Sequence, residues 1–241
     1  MRNFLIVLVE PQYEINMGYA ARVMKNFGFT NLCLVNPKKK PGFEAKMFAK
    51  HAKEVLERAV VVRDFKAAVK DCDVVVGTTA IRNGRETLRN PMDLEEFVKK
   101  IYGKHGRIAL VFGREGTGLD AEEIKECDFL ISIPTSPHYP SLNITHAMAI
   151  VLYSVHTACQ KTMGFKKTRM ARRKERDILL RMFNEIVDLH KKHLRNPQKV
   201  KLAFKRVLGK SLANDNEVAS LMCIFKKLKE EGGKRAIASC A

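Results

Sequence analysis

Three segments of this 241-residue chain carry side chains that could do chemistry. The first runs Glu14-Ile15-Asn16-Met17-Gly18-Tyr19-Ala20-Ala21-Arg22. On a helix starting after Asn16, Arg22 lies about 200° round from Ala20 at ~100° per residue, away from the apolar face of Val23, Met24 and Phe27. A guanidinium on a rigid helix and aimed outward suits a phosphate or a ribose, because its planar fork makes paired hydrogen bonds. The second segment, Gly113-Arg114-Glu115-Gly116-Thr117-Gly118-Leu119, follows an apolar run. Glycines at such a place let a ligand approach the backbone closely. The third enters from another apolar run and reads Ile133-Pro134-Thr135-Ser136-Pro137-His138-Tyr139-Pro140-Ser141-Leu142-Asn143-Ile144-Thr145-His146-Ala147, a loop of donors and acceptors that opens an apolar helix. Taken singly, each has a plainer reading: a solvated arginine, a tight turn into a helix, and ordinary helix caps.

The elements that position these segments follow from the hydrophobic pattern. Runs rich in Val, Ile, Leu and Phe predict strands over 4–9, 31–35, 60–63, 73–77, 108–112 and 129–133, most of them apolar enough to be covered on both faces. Helical patterns fall between them, near 17–27, 45–57, 64–71, 91–102 and 120–126. Alternation of this kind implies a mostly parallel α/β sheet. Asn16 is placed to cap the first helix and Gly28 to end it. Asp120 and Glu123 form a capping-box pattern, and Pro91 fits a first turn. The segment 145–159 is apolar nearly all round, which predicts a helix buried on most sides or at a subunit contact.

The last third is different. Residues 1–160 hold 22 basic and 18 acidic residues, whereas 161–241 hold 22 basic and 8 acidic, so +14 of the formal charge of +18 sits in the tail. Such asymmetry points to a polyanion, nucleic acid first among them. The tail divides into a basic linker over 161–175 and a basic helical extension over 176–241, with helices near 171–194, 197–209 and 215–230. In the last of these Val218, Leu221, Met222, Phe225 and Leu228 make one apolar face.

Several function classes are disfavoured. No apolar run reaches the ~18–20 residues of a membrane helix, and the apolar start meets Glu10-Pro11 without a small-residue cleavage site. A soluble, cytoplasmic protein is expected. The dinucleotide fingerprint and the Walker A ending are both missing. No His, Cys and Glu set has metal-ligand spacing, so no metal is expected. The six cysteines contain no CxxC pair and read as reduced core thiols.

Taken together, the three segments resemble the SPOUT class of RNA methyltransferases, and within it the 2′-O-ribose branch and the TrmJ family that acts on tRNA. Asn16 to Arg22 resembles the first motif of that family, Phe112 to Leu119 the second and Ile133 to Ala147 the third. The resemblance covers residues 1 to about 160 well and the basic tail more loosely. Met17 and Tyr19 depart from the smaller or aliphatic residues usual there.

The resemblance implies an α/β fold with a mostly parallel sheet and a C-terminal trefoil knot over 1–160, plus the helical extension. It implies a homodimer that binds S-adenosylmethionine in the knot. By position, Thr78, Thr79 and Ala80 would edge the pocket, and Gly113, Ile133 and Leu142 would meet the adenine. Ser141 and Asn143 would lie nearer the reacting centre, and Glu115 would shape the loop or offset positive charge. Arg22, lent by the partner subunit, would stabilise developing charge on the ribose oxygen, with Asn16 capping its helix and holding it or the ribose in place. The basic tail would bind tRNA phosphates. The implied activity is 2′-O-methylation of cytidine or uridine at position 32 of the anticodon loop. The alternatives are a 2′-O-methyltransferase acting on rRNA or at another tRNA position, and a knotted RNA-binding protein without turnover.

Overall fold

The computed structural model describes residues 1, 3–81, 90–101, 103–160 and 168–238, with side chains as far as residue 228. Its centre is β1 (Phe4–Val9), buried at all six positions. Around it lie β2 (Asn31–Val35), β3 (Val60–Val62), β4 (Val74–Thr78), β5 (Met92–Asp93), β7 (Ile108–Phe112) and β8 (Phe129–Ser132). They form one seven-stranded sheet in the order β3-β2-β1-β7-β4-β8-β5, parallel at every pairing. A second, two-stranded sheet pairs β6 (Lys104–His105) with β9 (Thr168–Arg169).

Alternate residues of β1 face opposite layers. Phe4, Ile6 and Leu8 join a core with α1 (Glu14–Asn26), α2 (Phe43–Ala49), α3 (Lys53–Glu57), α5 (Leu94–Ile101) and α7 (Ile144–Gln160). Leu5, Val7 and Val9 join a smaller core with α4 (Phe65–Val69) and α6 (Ala121–Glu126).

Helix α1 begins earlier than the sequence predicts. Its N-cap is Tyr13, and Asn16 lies buried in the first turn, so Asn16 is not the cap. The residue ahead of it has a different task. The Glu14 carboxylate accepts the amides of Gly42 (2.9 Å) and Ala45 (3.2 Å), which caps α2 from a neighbouring helix. Gly18 makes the close approach possible: a Cβ there would lie 2.5 Å from the Ala45 carbonyl oxygen. Gly28 ends α1 as expected, with a φ of +74° and with the Phe29 amide donating to the Met24 carbonyl (2.8 Å).

Other expectations are corrected. The helix over 45–57 is two helices separated by a 3-10 turn at Lys50–Ala52, and Lys50 has a φ of +52°. The helix over 91–102 starts only at Leu94. Pro91 lies outside it, because the edge of β8 recruits Met92 and Asp93 as β5.

The tail comprises α8 (Arg173–Leu189), α9 (Pro197–Ser211) and α10 (Asp215–Ala238) around Leu179, Leu208, Ala213 and Val218. Phe183 stacks on Phe204 with ring centroids 3.9 Å apart. Val218, Met222 and Phe225 of α10 face this core, whereas Leu221 and Leu228 are 38% and 44% exposed. At ~100° per residue those two lie on the flank of the stripe that meets the other helices. Part of the expected linker, 161–167, lies outside the described residues. From Thr168 the chain pairs with β6, buries Met170 and Ala171, and enters α8.

The tail is docked on the sheet's far edge, at the N-terminal ends of the strands. Arg176 of α8 meets Asp128 (3.1 Å), just before β8, with both side chains nearly inaccessible, and donates to the Asp73 carbonyl before β4. Arg206 of α9 donates to the Ile124 (2.9 Å) and Cys127 (3.1 Å) carbonyls at the end of α6, where a helix terminus leaves acceptors unsatisfied. Gly209 permits the contact, because a Cβ there would lie 2.8 Å from the Asp128 carbonyl oxygen.

Candidate active site

Ligands of open α/β sheets bind beyond the C-terminal ends of the strands. Three neighbouring strands, β7, β4 and β8, deliver the second and third segments to that edge, together with the end of β4. Thr78 ends β4, and its hydroxyl donates to the Val111 carbonyl of β7 (3.0 Å). The Thr79 amide donates to the Ile131 carbonyl of β8 (3.0 Å), and the Thr79 hydroxyl accepts the Ile81 amide (3.1 Å). Gly113 follows β7 and Ile133 follows β8. Thr78, Thr79, Gly113, Ile133 and Leu142 are half-buried, while Ala80, Ser141 and Asn143 are exposed.

The loop after β7 is a closed hairpin. Arg114 and Gly118 exchange backbone hydrogen bonds of 3.1 and 3.0 Å. The turn is so tight that a Cβ on Gly113 would lie 2.3 Å from the Gly118 carbonyl carbon. The loop then enters α6 through the expected capping box of Asp120 and Glu123. The Asn143 oxygen accepts both the amide (2.8 Å) and the hydroxyl (2.7 Å) of Thr145 at the start of α7. What Asn143 can offer a ligand is therefore its NH2 group.

The first segment joins the second directly. The Asn16 amide donates to the Glu115 carboxylate (2.9 Å), and the Gln12 backbone amide donates to its other oxygen (3.2 Å). Asn16 thus fastens the glycine loop to α1, which is a positioning contact rather than a helix cap. Arg22 stands apart. It is exposed on α1 with its guanidinium carbon 5.8 Å from the centre of the Tyr19 ring. Among the described residues, a hydrogen bond links Asn16, but not Arg22, to the second segment, and the side-chain bonds of the third stay within it.

Sequence reading missed the residues that hold the loop from behind. The Arg114 guanidinium makes a bidentate pair with Glu123 (2.9 and 2.9 Å) and a further bond from Nε to Glu10 (2.8 Å). The available signal was the capping box, which marks Glu123 as an inward-turned carboxylate next to the glycine turn.

As a set, these groups suit a purine-bearing ligand. Peptide edges from three adjacent strand ends and two half-buried apolar side chains, Ile133 and Leu142, offer hydrogen bonds in the plane of a ring and apolar contact across its face. This is the donor chemistry that S-adenosylmethionine requires.

Comparison with known proteins defines the class. Residues 3–153 match the SpoU rRNA Methylase family, and the chain belongs to that family of methyltransferases. Among relatives, it is 38% identical over 224 residues to the tRNA (cytidine-2'-O-)-methyltransferase TrmJ of Methanocaldococcus jannaschii, covering 92% of this chain and 97% of the relative. It is 41% identical over 161 residues to the tRNA (cytidine/uridine-2'-O-)-methyltransferase TrmJ of Klebsiella pneumoniae, covering 66% of this chain and 65% of that one. Among solved structures, TrmJ of Z. mobilis superposes with a TM-score of 0.69 at 28% identity over 93% of this chain and 98% of that one.

Proposed function

We propose that this methyltransferase transfers a methyl group from S-adenosylmethionine to the ribose 2′-oxygen of a cytidine or uridine in tRNA, at position 32 of the anticodon loop, as a cytoplasmic homodimer. The observation that carries the reading is the length of the match: the likeness to the archaeal tRNA enzyme spans 92% of the chain and therefore takes in the basic tail.

When bound, the cofactor supplies an electrophilic methyl on sulfur. Thr78, Thr79, Ala80, Gly113, Ile133 and Leu142 hold it at the strand ends, and the chain after β8 is threaded there as a trefoil knot. The placement of β4 between β7 and β8 supports that threading. Ser141 and the NH2 group of Asn143 face the reacting end. The Arg22 guanidinium offers donors and no acceptor, so it is not a base for the ribose proton. It stabilises negative charge growing on the 2′-oxygen and orients the ribose, and water or an RNA phosphate accepts the proton.

Arg22 serves the second protomer's site. The exposed apolar side chains of α1 and α7 support this: Tyr19 (38% exposed) lies against Arg22, and Ile150 (38%) and Tyr153 (57%) are exposed on α7. The tail binds phosphates through surfaces such as the concavity of about 650 Å³ lined by Arg195, Asn196, Lys199, Val200 and Ala203. The decisive experiment is mass spectrometry of nuclease-digested tRNA after incubation with the protein and labelled cofactor. A labelled 2′-O-methylnucleoside at position 32 is expected. Label in a base, or in another RNA only, overturns the reading.

A further inference from the structure

The glycine loop that meets the cofactor carries an arginine turned away from it. Arg114 follows Gly113 directly, yet its side chain is only 16% exposed and its guanidinium faces three anchors. Nε donates to Glu10 (2.8 Å), at the end of β1. Nη1 and Nη2 donate to the two oxygens of Glu123 (2.9 Å each), in the first turn of α6. Nη1 also reaches the Gly118 carbonyl (3.2 Å), across the loop.

The anchors are themselves constrained. Glu10 holds a left-handed backbone, with a φ of +45°, which a non-glycine residue keeps only when its surroundings impose it. Its other carboxylate oxygen accepts from Asn36 (3.2 Å). The Glu123 side chain is 10% exposed and also accepts the Asp120 amide (2.8 Å). The neighbour of Arg114 in the loop, Glu115, binds the start of α1 instead. The loop is thus gripped from two directions, and Gly113 sits at the root of both grips.

We propose that Arg114 is a positioning residue for cofactor binding: it fixes the 113–118 loop between β1 and α6 in the shape that receives S-adenosylmethionine. The inference rests on the cofactor site proposed above. Arg114 touches no reacting atom, and its effect passes through the backbone of Gly113. A lysine in its place keeps one charge but cannot make the forked pair with Glu123 while also bonding Glu10.

The test is isothermal titration of the purified protein with S-adenosylmethionine, alongside steady-state methylation of tRNA. Because apparent affinity falls with the fraction of molecules that hold the receptive loop, a variant that leaves this fraction at about 1–10% weakens binding in proportion, and Arg114→Lys is expected to lose about 10- to 100-fold in cofactor binding. It should raise the cofactor KM in parallel and leave kcat at saturating cofactor within about threefold. Glu10→Gln, which alters only the outer anchor, should give a smaller loss in the same direction, and it serves as the readout if Arg114→Lys fails to fold. Arg176→Met, which loosens the opposite edge of the sheet, should keep wild-type cofactor affinity, so lost stability alone does not reproduce the effect. Cofactor affinity within twofold of wild type in Arg114→Lys, or a loss confined to kcat, overturns the inference while the methyltransferase reading stands. A wild-type protein that binds no cofactor overturns both.

Discussion

The ion pair between Arg176 and Asp128 gives the sharpest test of how the tail is held. Arg176→Met keeps the length of the side chain and removes its charge. Removing one partner of a buried pair typically costs ~3–5 kcal/mol, because the remaining charge is stranded. Here Asp128 keeps the Val75 amide (2.8 Å) as a donor, which places the cost near the lower end, about 3 kcal/mol. At ~2–4 °C per kcal/mol for a chain of this size, the midpoint of thermal unfolding should fall by about 6–12 °C. Adding Asp128→Asn removes the stranded charge and leaves an acceptor for Val75, so the double variant should recover much of the loss, with a coupling well outside the ~0.3–0.5 kcal/mol seen between independent sites. Circular-dichroism melts of the four proteins at one concentration measure it. A single variant that melts within about 2 °C of wild type, or a double variant no more stable than the single, refutes the reasoning. Cofactor affinity should not change, since β4 places about 17 Å of strand, at ~3.3 Å per residue, between this pair and the strand ends.

Arg22→Lys should lower kcat by about 10²-fold with little change in cofactor affinity, because the forked geometry is lost while the charge is kept; near-full turnover would show that geometry is unimportant. Gly18→Ala should cost about 1–3 kcal/mol by overpacking the contact between α1 and α2, read from urea unfolding, since its Cβ would also lie 2.7 Å from the Cβ of Phe48. The Arg114 bond holds the Glu10 carboxyl below the ordinary carboxylate range. Its contribution is complete above that range and lost as pH falls through the lowered value, so the melting difference between wild type and Glu10→Gln should be present at pH 7 and close in acid. Burial pushes the thiols of Cys33 and Cys72 up to about 11 and that of Cys127 to about 12. A thiol reagent at pH 8 should therefore modify the exposed Cys223 long before these three in the native protein, and all of them in denaturant.

The hydrophobic pattern exposed most of the fold, because strands buried on both faces have little freedom to be anything else. The strands over 4–9, 31–35 and 108–112 end where the sequence places them. The two-residue strands β5, β6 and β9 were not legible. Their pairing is set by an available edge, and Met92-Asp93 has no periodicity of its own. The placement of the candidate residues was legible where chain order fixes it: Thr78 ends, and Gly113 and Ile133 follow, strands that are neighbours. It was not legible where partners meet across the fold. Nothing in the sequence pairs Asn16 with Glu115, 99 positions away, or Arg114 with Glu10, 104 positions away. Asn16 looked like a cap because caps and buried amide donors draw on the same residue types.

The strand order also governs how the molecule comes together as it is made. Among the described residues β4 pairs with β7 and β8 alone, and both leave the ribosome after it. Until residue 112 has emerged, Val74, Val75 and Val76 form an apolar strand with neither edge covered, an invitation to self-association. Joining β1 to β7 closes a loop of about a hundred residues, which makes for slow folding. A nascent chain stalled before residue 108 lacks both of the strands that cover the edges of β4.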